Sequence, residues 1–366
     1  MNHRNPVTSV CVVPDGRQVV VGSDKTVSIW DLASGRRVRH LKGHKGQVTA
    51  VCLSRDGCHA FFASDKTVRM CDIATRPTVR RVNSGDAWIT ALCLTYDGRI
   101  VSASDMTIRI TDMAGQQKCQ LKGHKGLVTA VCVTPDGSHI VSGSDDETIR
   151  VWDSATQDEV GRVLNGHVGR VTALCAMPDG LKVVSGSDDA IVRVLDIETG
   201  LTRALVGHVG TVTAVCVTPG GSHIVSGSDD ETIRVWDSAT QDEVGRVLNG
   251  HVGRVTALCA MPDGLKVVSG SDDAIVRVLD IKTGLTRALV GHVCPVTAVC
   301  VTPDGCRVVS GSDDTSLRVW DALTGRELCM LLQCHVDEQL QQIFSFQRPK
   351  SSSRCLNPLS VVTGPH

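Results

Sequence analysis

The chain has 366 residues, 42% of them hydrophobic and only 3% aromatic, so it can bury a large core made mainly of Val, Ile, Leu and Ala. Its 38 Lys and Arg balance 39 Asp and Glu, for a formal net charge of −1, which argues against a nucleic-acid or acidic-membrane binder. The N-terminus carries no charged-then-apolar leader and no apolar run reaches bilayer length, so the expectation is a soluble, cytoplasmic protein without a membrane partner.

Along the chain, an Asp ends a β-patterned run at Asp31, Asp72, Asp112, Asp153, Asp196, Asp237, Asp280 and Asp321, with successive differences of 41, 40, 41, 43, 41, 43 and 41. A period of about 40–45 residues is that of a four-stranded propeller blade. The first repeat opens abruptly, with Met1-Asn2-His3 in the place that Lys42-Gly43-His44 takes in the second. That opening raises the expectation of a fragment of a longer, multidomain protein. The second repeat has Cys71 before its Asp, and the third reads Ser84-Gly85-Asp86 where its neighbours have Gly-His, with Thr111 before Asp112.

The fourth repeat, residues 127–164, shows the unit most clearly. Val128 to Thr134 is a β-branched run stopped by Pro135-Asp136-Gly137. His139 to Ser142 follows, then a tight connection at 143–146, a third run from Thr148 to Trp152, and a fourth from Glu159 to Leu164. Such a meander cannot bury both faces alone; radial stacking does it. Residues 128–209 recur at 212–293 with two differences, Asp136 against Gly220 and Glu198 against Lys282. Two pairs of blades should therefore present nearly identical surfaces.

The last repeat ends near Leu332. Residues 336–366, with Gln-rich and Ser-rich stretches and Ser351-Ser352-Ser353, are expected to form a flexible tail, leaving 1–335 as the folded domain.

Trp-Asp closes four of the eight runs, at Trp30-Asp31, Trp152-Asp153, Trp236-Asp237 and Trp320-Asp321, and Gly-His precedes six of them, as in Gly123-His124 and Gly207-His208. In these features the chain resembles the WD-repeat (WD40) family over residues 1 to about 335. The resemblance implies an all-β propeller. Eight sets of four strands are expected, with a seven-bladed ring and one displaced repeat as the alternative. Glu327 to Leu332 already fills the outer strand of the last set, so closure is expected to rest on face packing rather than on an N-terminal strand.

The resemblance also implies a hydrogen-bonded tetrad in each regular blade. By position these are His124, Ser142, Asp146 and Trp152; His208, Ser226, Asp230 and Trp236; and His292, Ser310, Asp314 and Trp320. Leu195 and Leu279 replace the Trp in two further copies, and the copy at 47–82 lacks the Ser. A His beside a Ser and an Asp invites a hydrolase reading, but a triad needs one exposed nucleophile next to an oxyanion hole. A trio repeated in five blades and packed by a Trp reads instead as frame. There is no G-x-S-x-G elbow, phosphate loop or H-E-x-x-H pair, and no enzyme, cofactor or metal is expected. Eight cysteines, among them Cys11, Cys132 and Cys300, share one position in a Val-rich strand and read as small buried apolar groups.

The expected function is a non-catalytic scaffold for partner proteins or peptides. The alternative is the ligand-sensing portion of a larger nucleotide-binding signalling receptor. Docking candidates lie on the face of the Gly-His loops: Lys45, Lys125, Gln47, Trp88, Arg170 and Arg254, with a ring of turn acids at Asp145, Asp188, Asp229, Asp272 and Asp313. Trp88 is the one tryptophan outside the Trp-Asp slot. Trp and Arg are favoured at interface hot spots, so Trp88, Arg170 and Arg254 form the expected patch. The competing reading makes Trp88 a plug for the irregular third repeat. The acidic ring suggests a basic or zwitterionic peptide.

Overall fold

The computed structural model describes residues 6–41, 44, 46–74, 79–84, 87–160, 166–244, 247–248 and 250–332, and among these it contains strands and turns but no helix. Blade 1 is built from Val7–Val12, Gln18–Ser23, Val27–Asp31 and Arg37–Leu41, paired antiparallel in chain order from the innermost strand to the outermost. The first turn is set by Pro14-Asp15-Gly16. Gly16 adopts φ 69°, which a side chain disfavours, and donates its amide to the Val13 carbonyl at 2.8 Å. The Asp15 carboxylate accepts the Arg17 amide at 2.9 Å. A glycine with φ between 67° and 81° closes this turn in all eight blades.

The recurring Asp that defines the sequence period makes the third-to-fourth-strand turn. The Asp153 carboxylate accepts the amides of Ala155 and Thr156 at 2.8 and 2.6 Å, and Asp196, Asp280 and Asp321 take the amide three residues on in the same way. These hydrogen bonds hold each of these carboxyls below its ordinary range.

Eight such sheets follow one another, with innermost strands Val7–Val12, Val48–Leu53, Ile89–Leu94, Val128–Val133, Val171–Ala176, Val212–Val217, Val255–Ala260 and Val296–Val301. Six sheets pair all four strands. In blades 4 and 6 the described part of the outer strand meets the third strand at isolated bridges, Trp152 with Glu159 in blade 4, and Trp236 with Glu243 and Ile233 with Leu248 in blade 6. The second strands are buried along nearly their whole length, because each is sandwiched between two neighbouring blades. That explains their continuous apolar runs.

Six of the eight blades bring a glycine to the joint with the next blade. A Cβ on Gly22 would stand 2.8 Å from the Val48 methyl of the next blade, on Gly186 2.5 Å from Val212, and on Gly270 2.6 Å from Val296. The same clash awaits at Gly143, Gly227 and Gly311. One hydroxyl then clasps each joint from the channel side. Thr8 donates to the Val48 carbonyl at 2.6 Å and Thr49 to Ile89 at 3.0 Å, and Thr90, Thr129, Thr172, Thr213 and Thr256 repeat the bond one blade further on.

The eighth clasp closes the ring. Thr297 donates to the Val7 carbonyl at 2.5 Å, and Arg307 reaches the Leu32 carbonyl at 2.9 Å. Val7, Val10 and Val21 share one apolar cluster with Cys300, Val309 and Leu317. The last joint therefore has the same Gly, Thr clasp and face packing as the joints between regular blades, with Glu327–Leu332 as outer strand of blade 8. The eighth repeat has a place in the ring, so the seven-bladed alternative is overturned. Segment 336–366, expected as a tail, lies outside the described residues.

The described cysteines are free thiols. Burial pushes Cys11, Cys93 and Cys175 up to about 12, so they stay protonated and pack as small apolar groups.

Candidate functional site

The polar residues of blade 4 form one continuous relay. The Trp152 indole N–H donates to the Ser142 hydroxyl at 2.9 Å, and Ser142 stands 2.8 Å from His124 Nε2. His124 Nδ1 lies 3.0 Å from Asp146 Oδ2. A carboxylate only accepts, so Nδ1 carries the proton and Nε2 accepts from Ser142. Burial lowers the His124 pKa, opposed by the Asp146 charge, and keeps the ring neutral in that tautomer. Asp146 also accepts the Lys125 amide at 2.7 Å and the Thr148 hydroxyl at 2.6 Å. With this many donors its carboxyl is held far below the usual range.

The relay recurs in blade 6 through His208, Ser226, Asp230 and Trp236, with Asp230 lowered to about 2, and in blade 8 through His292, Ser310, Asp314 and Trp320. Blades 5 and 7 keep the His, Ser and Asp without the Trp. All five serines are fully buried. A hydroxyl that reaches no solvent and is already held by the relay His is poorly placed to attack a substrate. In blade 2, where Phe62 takes the serine's place, His44 turns Nδ1 to Ser64 at 2.6 Å and packs its edge on Phe62. A different serine thus partly restores a set that the sequence showed as broken.

An arginine in the third strand went unnoticed in the sequence. Arg150 Nη1 sits 2.8 Å from Glu159, Arg234 2.9 Å from Glu243, and Arg318 pairs with Glu327. A Cβ on Gly123, Gly207 or Gly291 would lie 2.5–2.6 Å from these guanidinium groups. The arginine tips therefore pack directly against the glycine that precedes each of these histidines. The Arg two residues before each Trp, with a Glu nine residues further on, was the available signal.

The loops these networks hold surround the mouth of the central channel. Each ring acid is tied by its amide to the residue that precedes the first strand: Asp145 to the Leu127 carbonyl at 2.8 Å, Asp188 to Arg170 at 2.9 Å, Asp229 to Thr211 at 2.9 Å, Asp272 to Arg254 at 3.0 Å and Asp313 to Pro295 at 3.0 Å. The five carboxylates are left exposed. Arg170 Nε lies 3.4 Å from Asp188 and 3.7 Å from Asp145, and Arg254 Nε lies 3.3 Å from Asp229. Burial and the charges of Asp272 and Asp314 raise the Asp313 carboxyl.

A cavity of about 670 Å³ opens here, walled by Leu127, Arg170, Thr211 and Arg254, by Asp188 and Asp229, and by four threonines of the inner strands. The structure thus brings together Arg170 and Arg254 and part of the acidic ring. Trp88 is not in this wall. It is 57% exposed. Gln47 and Lys125 are exposed, and Lys45 lies outside the described residues. Among the described residues no group of His, Cys, Asp or Glu has the arrangement of a metal site.

Sequence missed an apolar feature of this face. Val168, Val209, Val252 and Val293, each directly after the relay His, are 77%, 88%, 78% and 80% exposed. The signal was a Val in four consecutive repeats where Lys125 stands in the fourth.

The family model described as "WD domain, G-beta repeat" matches eight segments: 1–31, 35–72, 78–112, 115–153, 159–196, 200–237, 243–280 and 284–321. Among curated proteins, the nuclear distribution protein PAC1 of Candida albicans is 50% identical over 44 residues, 12% of this chain and 9% of that protein. WD repeat-containing protein 18 of Danio rerio is 49% identical over 43 residues, 12% of this chain and 10% of its own. The matched segments thus span only about a tenth of these relatives' length. A solved structure, the computationally designed Ika8 protein, superposes with a TM-score of 0.77 at 33% identity, over 87% of this chain and 97% of that one. One repeat model matching eight times along eight stacked blades settles the family: the chain belongs to the WD40 β-propellers.

Proposed function

We propose that the chain is an interaction scaffold that holds a partner protein or peptide on the face bearing the His-containing loops, at the mouth of the central channel. WD40 propellers are generally non-catalytic interaction scaffolds, and function in such folds sits on loops carried by a rigid frame. The observation that carries the reading is the open cavity with Arg170, Arg254, Asp188 and Asp229 converging on it, on the face whose loops the relays pin. Convergent polar groups around a concave site are what recognition needs. Trp88 extends the same face as an exposed aromatic anchor.

The test is affinity capture with the full chain and an Arg170→Glu, Arg254→Glu double variant. Loss of the captured protein with an unchanged melting temperature supports the mouth as the docking site. Undiminished capture by the double variant overturns it.

A further inference from the structure

We infer that this face carries two equivalent docking subsites, each shaped for an extended peptide segment that places a Lys or Arg side chain between small apolar ones. The inference rests on the docking-face reading above and specifies its partner. It starts from the duplication: residues 128–209 and 212–293 differ at two positions, 136/220 and 198/282. Pro135-Asp136-Gly137 and its counterpart 219–221 form first-to-second-strand turns, and 198 and 282 lie in third-to-fourth-strand turns, all at the blade ends opposite the His-containing loops. Both differences therefore leave the docking face unchanged.

One subsite comprises Val168, Arg170, Asp145, Asp188 and Val209, and the other Val252, Arg254, Asp229, Asp272 and Val293. Eight blades share a full turn, so two blades rotate the pattern by about 90° around the channel. In both copies the central Arg is about half exposed and lies against the preceding blade's acid, at 3.7 Å for Arg170 with Asp145 and 3.3 Å for Arg254 with Asp229, and Arg170 also reaches Asp188 of its own blade at 3.4 Å. In both it is flanked by valines at least 77% exposed. Single exposed apolar residues are ordinary on any surface, but four at one register in four consecutive blades form an arc.

Charge selects the occupant. Each subsite sets two ring acids against one arginine, so each keeps one negative charge in excess. Among the described residues Asp272 of the second subsite has no cation within ion-pair distance. A cationic side chain neutralises that excess charge, whereas an anionic one adds to it. Small apolar neighbours in the same peptide cover the valines.

The experiment pans the immobilised full chain against phage displaying random twelve-residue peptides. The enriched peptide is then titrated calorimetrically into wild type and into Val168→Asp, Val252→Asp and the double variant. The expected peptide has Lys or Arg flanked by Val, Ile or Leu and binds at two sites of matching affinity. Each single variant should lower the stoichiometry to one at unchanged Kd, and the double variant should lose binding altogether. Because both valines are exposed, the variants should melt with the wild type, and Val168→Ala and Val252→Ala repeat the measurement if one does not. Enrichment of acidic peptides, a stoichiometry of one in the wild type, or indifference to all the valine variants overturns the inference. A peptide lost in the Arg170→Glu, Arg254→Glu variant yet indifferent to both valines sinks the two-subsite inference and leaves the docking face standing.

Discussion

In blade 4 the space between the first loop and the third strand is filled by Trp152, Ser142, His124 and Asp146, every polar atom of the relay in a hydrogen bond. In blade 2 the same space holds Cys71 and Phe62, both fully buried, and His44, whose Nε2 finds no partner among the described residues. Blade 3 has neither the His nor the Trp, and its buried Thr111 hydroxyl is likewise unsatisfied. Yet Thr49 and Thr90 clasp their joints as the regular blades do. The ring is therefore held by the joints, and the relays hold the loops. The difference also shows at the joint, where blades 2 and 3 carry Ala63 and Ala103 in place of the glycine.

The comparison breaks most directly at that position. Gly227→Ala puts a methyl into the Val255 side chain across the joint, and overpacking of this kind costs about 1–3 kcal/mol. Ala103→Gly, where the joint already accommodates a methyl, should cost no more than about 1 kcal/mol. Urea midpoints of the two variants check the ordering. Equal losses would show that the joints are alike and that the alanines are incidental.

Within the duplicated half, the relays can be ranked against each other. Ser142→Ala strands both the Trp152 indole and the His124 ring, whereas Ser185→Ala strands His167 alone because Leu195 stands where the Trp would be. Each stranded buried group costs about 1–3 kcal/mol, so Ser142→Ala should unfold at clearly lower denaturant. Hydrogen exchange at Lys125 and Val168 should rise in the respective variants, since those amides rest on the relay aspartates.

Acid should sharpen the contrast further. Burial lowers the pKa of His124, His167, His208 and His251 against opposition from their aspartates, and takes His44, beside Arg69 and without a carboxylate, to about 4. As pH falls below 6.5 the unfolded chain binds protons that the fold refuses, so stability drops with falling pH. The slope reaches ~1.4 kcal/mol per pH unit for each ring kept neutral, and less where water approaches it. His44→Gln should flatten the pH dependence of the melting temperature between pH 6.5 and 4. An unchanged slope would mean that the relays alone carry it.

Much of this was legible in the sequence, for reasons the structure makes physical. The Asp period is visible because an Asp at one place builds the same turn in each copy, and the eight-fold count follows from it. The relay could be assigned by position because its members lie 18, 10 and 22 residues apart in every complete set. What stayed hidden depends on neighbours across a joint. The Gly22 and Gly143 contacts and the Thr clasps join residues whose pairing no local pattern announces. The exposed valines were hidden for the opposite reason, since a Val in a Val-rich chain draws no notice until its exposure is seen.

Trp88 is the smallest expected effect on the frame and the most telling for the docking face. It sits in the irregular third blade, on the loop that lacks Gly-His, and is 57% exposed. Removing a side chain that the core does not use usually changes stability by no more than about 0.5 kcal/mol. Trp88→Ala should therefore melt with the wild type while capturing less partner. Should it instead lower the melting temperature by several degrees and leave capture intact, the indole would be bracing a blade that has no relay of its own. The third blade would then belong with the joints, as a part of the frame, and the docking face would narrow to the duplicated half.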